Sequence, residues 1–189
     1  MNIVLLSESQ IKDIYKTRLV KDFPRDEVRP LSRILGSLSK GEYVAFGLNK
    51  NEDVLGYAFC VKLGERYLLD YFAIRDDVRD SGYGSVFLRL IKETLDDAEC
   101  FICEVESPED TNDMLDKEVR EKRYDFYIRN GFTDTKAVFR TFGVCFKILE
   151  LPLKKTHDID EAAALYCEFY GKMLPKLMYK VNVKRIDSL

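Results

Sequence analysis

The chain has one histidine among its 189 residues, an odd number of cysteines, no excess of either charge, and no apolar run near the roughly 18 residues a membrane span needs. Each shortage closes off a class of function. A single histidine argues against a metal centre. Thirty Lys and Arg against 33 Asp and Glu leave a net charge of -3, which gives no reason to expect nucleic acid as a partner. Cys60, Cys100, Cys103, Cys145 and Cys167 are scattered through apolar runs. That is the pattern of reduced core thiols in a cytoplasmic protein, not of a disulfide framework. The opening MNIVLLSESQ has no basic stretch and turns polar after six residues, so neither a signal peptide nor a membrane anchor is expected. What the chain does have is apolar material, 46% hydrophobic and 12% aromatic, enough for a sizeable core. The length is that of one domain, and a single domain over 1–189 is the expectation.

Periodicity orders the elements. Residues 1–6 suit a buried first strand. Ser7 and Ser9 are possible caps for a helix through Ile11, Ile14, Tyr15 and Leu19, stopped by Pro24. A second helix is expected from about Asp26, with Pro30 in its first turn and Leu31, Ile34, Leu35 and Leu38 on one face, to Gly41. Strands over 42–48, 54–63 and 67–74, joined by the short connectors 49–53 and 64–66, form an antiparallel meander. A glycine-containing turn over 79–84 leads to a helix, then a strand over 100–105. By the parallel-crossover rule the strands 67–74 and 100–105 are expected as parallel neighbours. A polar loop over 108–112, a charged helix over 113–130 ended by Gly131, strands over 135–141 and 144–151, and a helix over 159–173 complete the pattern.

The turn Arg79-Asp80-Ser81-Gly82-Tyr83-Gly84 reads R-x-x-G-x-G. Glycines permit positive φ and close approach of a ligand. The N–H groups of the turn and the positive end of the following helix make an anion site suited to a pyrophosphate. Arg79 adds a charge-assisted contact. Downstream, Phe126-Tyr127-Ile128-Arg129-Asn130-Gly131-Phe132 gives F-Y-x-x-x-G-F on the last turn of a helix. There is no third glycine in register and no G-K-[ST], so the Rossmann and Walker readings fail.

These residues resemble the GNAT superfamily of N-acetyltransferases. The likeness spans the element order over about 1–152 and is strongest over 70–132; the helix and tail over 157–189 lie outside that core. The resemblance implies an α/β (α+β) fold: a mixed, mostly antiparallel sheet with a splayed parallel strand pair, and helices on both faces. It implies acetyl-CoA as co-substrate, its pantetheine arm against the main chain of Phe72, Ala73 and Ile74. Its phosphates would lie on Arg79, Asp80, Ser81, Gly82, Tyr83, Gly84 and Ser85. Tyr127 matches the position whose hydroxyl acts as general acid towards the thioester sulfur. A phenol stays protonated at neutral pH and can donate as a thiolate forms. The family often dimerises, so a homodimer is an open alternative.

Acetyl transfer to an amine also needs a base. Glu104 and Glu106 lie in or beside an otherwise apolar strand, where a carboxylate is costly unless used or paired. Alternation places both on one face. Glu104 is the first choice as base; Glu106, Asp70 and water are the others. Asp26, Glu27, Glu104 and Glu106 would also supply negative charge for a cationic acceptor. Many family members carry an asparagine where this chain has Arg120. Asn112 lies in the preceding loop, and Arg120 and Arg123 either meet a phosphate or pair with Glu118 and Glu121 on a solvated face. Cys100-Phe101-Ile102-Cys103 has C-x-x-C spacing, but on a strand the two thiols point to opposite faces. His157 reads as a surface or capping residue. Lys172, Lys176, Lys180 and Lys184 recur every four residues, as a basic stripe on a docked amphipathic tail. The expected activity is acetyl transfer from acetyl-CoA to a primary amine of a small molecule or peptide, in the cytoplasm and without a metal. The alternative is an inactive CoA-binding sensor on the same fold.

Overall fold

Long apolar runs joined by two- or three-residue polar connectors fold back on one another, and this dictates the first half of the chain. The computed structural model describes residues 1–25, 27–51 and 53–186. They fall into two units, Met1–Leu95 and Asp96–Leu189. In the first unit β1 (Asn2–Leu5), β2 (Tyr43–Lys50), β3 (Asp53–Leu63) and β4 (Arg66–Ile74) pair antiparallel in that order. The meander is as expected, with ends shifted by one or two residues; Glu52 of the first connector lies outside the described residues. β3 supplies the core, with every residue from Leu55 to Val61 buried. A Cβ at Gly56 would meet Ile74 Cδ1 at 2.6 Å and the carbonyl oxygen of Ala73 at 3.0 Å, so glycine lets β4 approach this closely.

The strand β1 differs from the buried strand expected over 1–6. It is a four-residue edge strand with Asn2 and Leu5 exposed, Leu5 at 68%. A short edge strand has a neighbour on one side only, and its outer face stays wet. Ser7 caps α1 (Glu8–Ile14) in a reciprocal capping box with Gln10. The helix runs on through a π-helical segment, Tyr15–Leu19, into α2 (Val20–Asp22), burying Ile11, Ile14 and Leu19. Phe23 is extended at φ -126°, ψ 149° because Pro24 follows it.

The second expected helix begins later than its pattern suggested. α3 spans Leu31–Ser39, and Pro30 is its cap at φ -54°, ψ 132°, not a residue of its first turn. Asp26 lies outside the described residues. The segment ahead of α3 is held from outside by polar bonds to the sheet. The Arg29 N–H donates to the Tyr71 hydroxyl at 2.8 Å, which donates to the Glu27 carbonyl at 2.9 Å. Tyr15 donates to the Arg29 carbonyl at 3.1 Å. The Arg29 guanidinium meets Asp70 at 3.0 Å and lies over the Tyr43 ring, while the Tyr43 hydroxyl also donates to Asp70. Burial and the Asp70 charge push the Tyr43 phenol well above its ordinary range, so it remains a donor. α4 (Tyr83–Thr94) closes the unit, burying Phe87, Leu88 and Ile91 against β1, β3 and β4.

In the second unit β5 (Cys100–Glu106), β7 (Val144–Pro152), β6 (Thr133–Thr141) and β8 (Val183–Ile186) pair antiparallel, in the order β5-β7-β6-β8. α5 (Met114–Arg129) starts on an Asp113 cap, and the chain leaves it through Gly131 at φ +90°. α6 (Ile159–Met173) starts on a capping box of Asp158 and Glu161. The expected lysine stripe breaks up. Leu174, before Pro175, is extended at φ -112°, ψ 148° and ends α6. α7 (Lys176–Asn182) follows, and then β8 adds to β6. Lys172, Lys176, Lys180 and Lys184 thus belong to three elements and not to one face. Residues 187–189 lie outside the described part. No helix among the described residues is long and apolar enough to cross a membrane.

Removing the Asp70 carboxylate strands the buried Arg29 charge, whereas removing the Tyr43 hydroxyl takes away one donor of two. Asp70→Ala should therefore cost about 3–5 kcal/mol and Tyr43→Phe about 1–3 kcal/mol in urea unfolding at unchanged m. The reverse order would dismiss the Arg29–Asp70 pair as the anchor of this segment.

Candidate active site

The sequence singled out two groups of residues, and each is gathered by one unit. In the first unit the main chain leaves β4 at Ile74 and makes a 3-10 turn at Asp76–Val78. It then runs through Arg79 (φ -60°, ψ 159°), left-handed Asp80 (φ +61°) and left-handed Gly82 (φ +79°) into α4. A Cβ on Gly82 would meet nothing within 4 Å, so the dihedral, not crowding, requires glycine there. Gly82 is the helix cap and carries no side-chain hydrogen bond. The first N–H groups of α4, over Tyr83, Gly84 and Ser85, are thus at the positive end of a twelve-residue helix without a side-chain cap to take them. Backbone N–H groups so placed are the kind that stabilise an anion.

Arg79 is not a free arm. Its Nε donates to the Ile74 carbonyl at 3.0 Å, and Nη2 meets Asp22 at 3.2 Å and Asp76 at 2.6 Å. Asp22 also accepts from the Tyr57 hydroxyl at 2.7 Å, and burial, with that bond, drives the Tyr57 phenol far above its usual range. The turn is therefore pinned to the end of α2 and to β3. Ser81 Oγ donates to the Arg79 carbonyl at 3.4 Å. The Tyr83 hydroxyl accepts from Lys50 Nζ at 2.9 Å. This lysine, at the end of β2, is a positive charge beside the turn that the sequence pattern did not flag. Phe72, Ala73 and Ile74 pair with Ala58, Tyr57 and Gly56 of β3, and the Phe72 ring stacks on Phe87 at 5.4 Å. Residues 72–74 and 79–85 thus form one continuous strand-end, turn and helix start.

In the second unit Tyr127 is buried near the end of α5, edge-on to Phe126 at 5.3 Å and to Phe132 at 5.1 Å. Phe132 in turn packs on Phe101 of β5 at 5.9 Å. Glu104, of opposite parity to Phe101, lies under α6 on the other face of β5. Tyr170 donates to its two oxygens at 2.8 and 3.0 Å, and Tyr166 donates to Oε2. The Tyr166 hydroxyl is also 2.9 Å from Thr141 Oγ1; burial and the Glu104 charge push its phenol well up. Sequence reasoning missed both tyrosines. Their i,i+4 spacing on an apolar helix face was the available signal.

Glu106 does not share that environment. Arg123 and Arg120 of α5 hold it, Arg120 at 3.5 Å. Arg120 is 13% exposed and also meets Asp116 at 2.9 Å and the Ser107 carbonyl at 3.1 Å. The expected solvated pairing with Glu118 and Glu121 is corrected: Glu118 pairs with Lys122 at 2.7 Å, and Arg120 turns inward to a carboxylate on the sheet. Asn112 lies in the loop before α5, as expected. His157 is corrected too. Its side chain is 5% exposed, and Nδ1 lies 2.6 Å from Oε1 of the buried Glu150, so it is neither a surface residue nor a helix cap. None of the five cysteines is in a disulfide.

No protein-family model matches the chain, and no curated protein matches it. Solved structures do. One is a protein from Bacteroides thetaiotaomicron assigned to the GNAT family of acetyltransferases. It is 19% identical, with TM-score 0.69, over 88% of this chain and 93% of that one. Another is a ribosomal-protein-alanine N-acetyltransferase from Escherichia coli, 17% identical with TM-score 0.61, over 82% and 96% of the two chains. A third is an aminoglycoside 6'-N-acetyltransferase complexed with coenzyme A, 11% identical with TM-score 0.59, over 83% and 99%. With the strand-end turn and the two-unit strand order already described, these likenesses make the α/β fold of this chain that of the GNAT acetyltransferases.

Proposed function

We propose that the chain, as one domain over 1–189, is an N-acetyltransferase working in the cytoplasm, which moves the acetyl group of acetyl-CoA to a primary amine of a small molecule or peptide. One observation carries the reading. The R-x-x-G-x-G sequence adopts two left-handed residues and an uncapped helix start at the end of β4, a cradle for a pyrophosphate at the point where the fold's chemistry calls for one. Similar structures support the activity in general: one of them is a coenzyme A complex, and others are acetyltransferases.

The residues fit that co-substrate. The N–H groups over Asp80 to Ser85 would hold its phosphates, with Arg79 and Lys50 adding positive charge, and the main chain of Phe72 to Ile74 would hold its pantetheine arm. Bound acetyl-CoA supplies an activated acetyl thioester. The protein's part is positioning and proton management. Tyr127 donates a proton to the departing sulfur, a role within the range of a phenolic hydroxyl. Glu104, held in place by Tyr166 and Tyr170, takes the proton lost by the attacking amine. Attack is direct, so none of the buried thiols is needed as a nucleophile. Glu106 is paired with the cations Arg120 and Arg123 and Asp70 with the cation Arg29, whereas Tyr166 and Tyr170 bring Glu104 neutral donors, which supports Glu104 as the base.

Calorimetric titration of acetyl-CoA tests the site. Wild-type protein should bind at micromolar concentration, and Gly84→Asp, which puts a Cβ and a negative charge in the second residue of α4, should abolish binding in a chain of unchanged circular dichroism. Absence of binding by the wild type would reject the reading. For the chemistry, thiol release is followed over a panel of polyamines, aminoglycosides and peptide N-termini. Tyr127→Phe and Glu104→Gln should each lower turnover by about 10²-fold or more while leaving acetyl-CoA binding within a few-fold. Binding without thiol release across the whole panel would instead identify a CoA sensor.

A further inference from the structure

Away from the residues above, three donor atoms of three different kinds converge inside the second unit. One ligand atom each from Cys100, Glu150 and His157 lies within 4.8 Å of the others. We propose that these residues form a site for a divalent transition-metal ion of zinc's class. The assembly follows from the topology. Cys100 opens β5 opposite Pro152, and Glu150 stands opposite Ile102, so antiparallel pairing sets Cys100 and Glu150 diagonally on one face of the ribbon. The connector after β7 then folds back across that face. It is fastened by the Lys155 N–H to the Glu99 carbonyl at 3.0 Å and by the capping box at Asp158. This brings the chain's only histidine over the pair. Its backbone N–H donates to Glu150 Oε2 at 3.0 Å and its Nδ1 lies 2.6 Å from Oε1.

Burial sets this cluster apart from surface groups. Glu150 is 1% exposed and Cys100 is fully buried. A carboxylate in such a place needs a cation or full hydrogen bonding. A further oxygen is at hand, since Glu99 Oε1 lies 3.8 Å from His157 Nε2. Zinc bonds of about 2.0–2.3 Å imply donor separations of roughly 3.3–3.8 Å in a tetrahedron, so the ion would take the place of the Glu150–His157 hydrogen bond, parting those two groups from 2.6 Å, while donors as far apart as 4.8 Å would close by about 1 Å. A thiolate with an imidazole and carboxylates is a borderline donor set that suits zinc and excludes calcium and magnesium. On binding, the Cys100 thiol gives up its proton and its sulfur becomes the ligand. The ion would tie β5, β7 and the start of α6 together, a structural role.

Cobalt(II) is the probe, added to the full, untagged, reduced chain. The expected result is one equivalent bound, with the visible bands of tetrahedral cobalt and a near-ultraviolet thiolate charge-transfer band, both removed by zinc. Cys100→Ser should lose the charge-transfer band, and His157→Gln should weaken cobalt binding at least about 10-fold, each checked for folding by circular dichroism. If Cys100→Ser does not fold, the His157→Gln result and the rise in wild-type Tm with zinc carry the test. No thiolate band with excess cobalt, or a band that survives in Cys100→Ser, would overturn the proposal and leave a hydrogen-bonded Glu–His latch.

Discussion

A carboxylate carried into a protein interior must be given donors or cations, and this chain carries several inward. Asp22, Asp70, Glu104, Glu106 and Glu150 are all wholly or largely withdrawn from water, and each has a different answer: Tyr57 with Arg79, Arg29 with Tyr43, two tyrosines of α6, two arginines of α5, and a histidine. Removing one partner of such a group strands the other, at a cost larger than the net worth of the contact. The connections therefore decide where the irregular segments lie. The segment before α3 is set by Asp70, the turn before α4 by Asp22, and the connector before α6 by Glu150. A sheet of this kind could be built from apolar residues alone; the placement of its loops could not.

That constraint explains a division of labour at the turn before α4. The left-handed residues Asp80 and Gly82 shape the cradle, but shape alone would leave it free to swing about Ile74. Arg79 anchors it, through the Ile74 carbonyl behind and Asp22 and Asp76 at the side. In the proposed complex the arginine thus approaches the phosphates already restrained, and less of the binding free energy is lost to ordering it. The carboxylates beside it also keep the turn from being a bare cluster of positive charge in the absence of an anion.

How far the sequence foretold this depends on the range of the cause. Hairpins with short connectors, the capped starts of α1, α5 and α6, and the glycine exits are local, and their signals sat within a few residues of their effects. The R-x-x-G-x-G turn was legible for the same reason. The late start of α3, the edge position of β1 and the inward turn of Arg120 were not, because each is set by residues far along the chain: Tyr71 and Asp70 for the first, pairing on one side only for the second, Glu106 for the third. The strand β8 was hidden because four residues after a proline-broken helix carry too little pattern to distinguish strand from tail. The inward position of His157 was not legible either, because Glu150, which holds it, is brought there by the register of β5 and β7.

The answer given to Glu104 bears most directly on the proposed chemistry. Both of its oxygens already accept phenolic hydrogens, so a proton taken from an amine in the proposed reaction would change what its donors face. Tyr166 has a second acceptor for that case. Its hydroxyl lies between Glu104 and Thr141 Oγ1, and burial keeps it protonated. Its hydrogen can point to Glu104 while the carboxylate is charged and swing to Thr141 when the carboxyl takes up a proton, with no heavy atom moving. Tyr170 holds the carboxylate in register throughout. For the base proposed here, restraint by two donors, one of which has a second acceptor within reach, would combine fixed position with the freedom to change charge, and α6, outside the part of the chain that carries the R-x-x-G-x-G and F-Y-x-x-x-G-F patterns, supplies those donors.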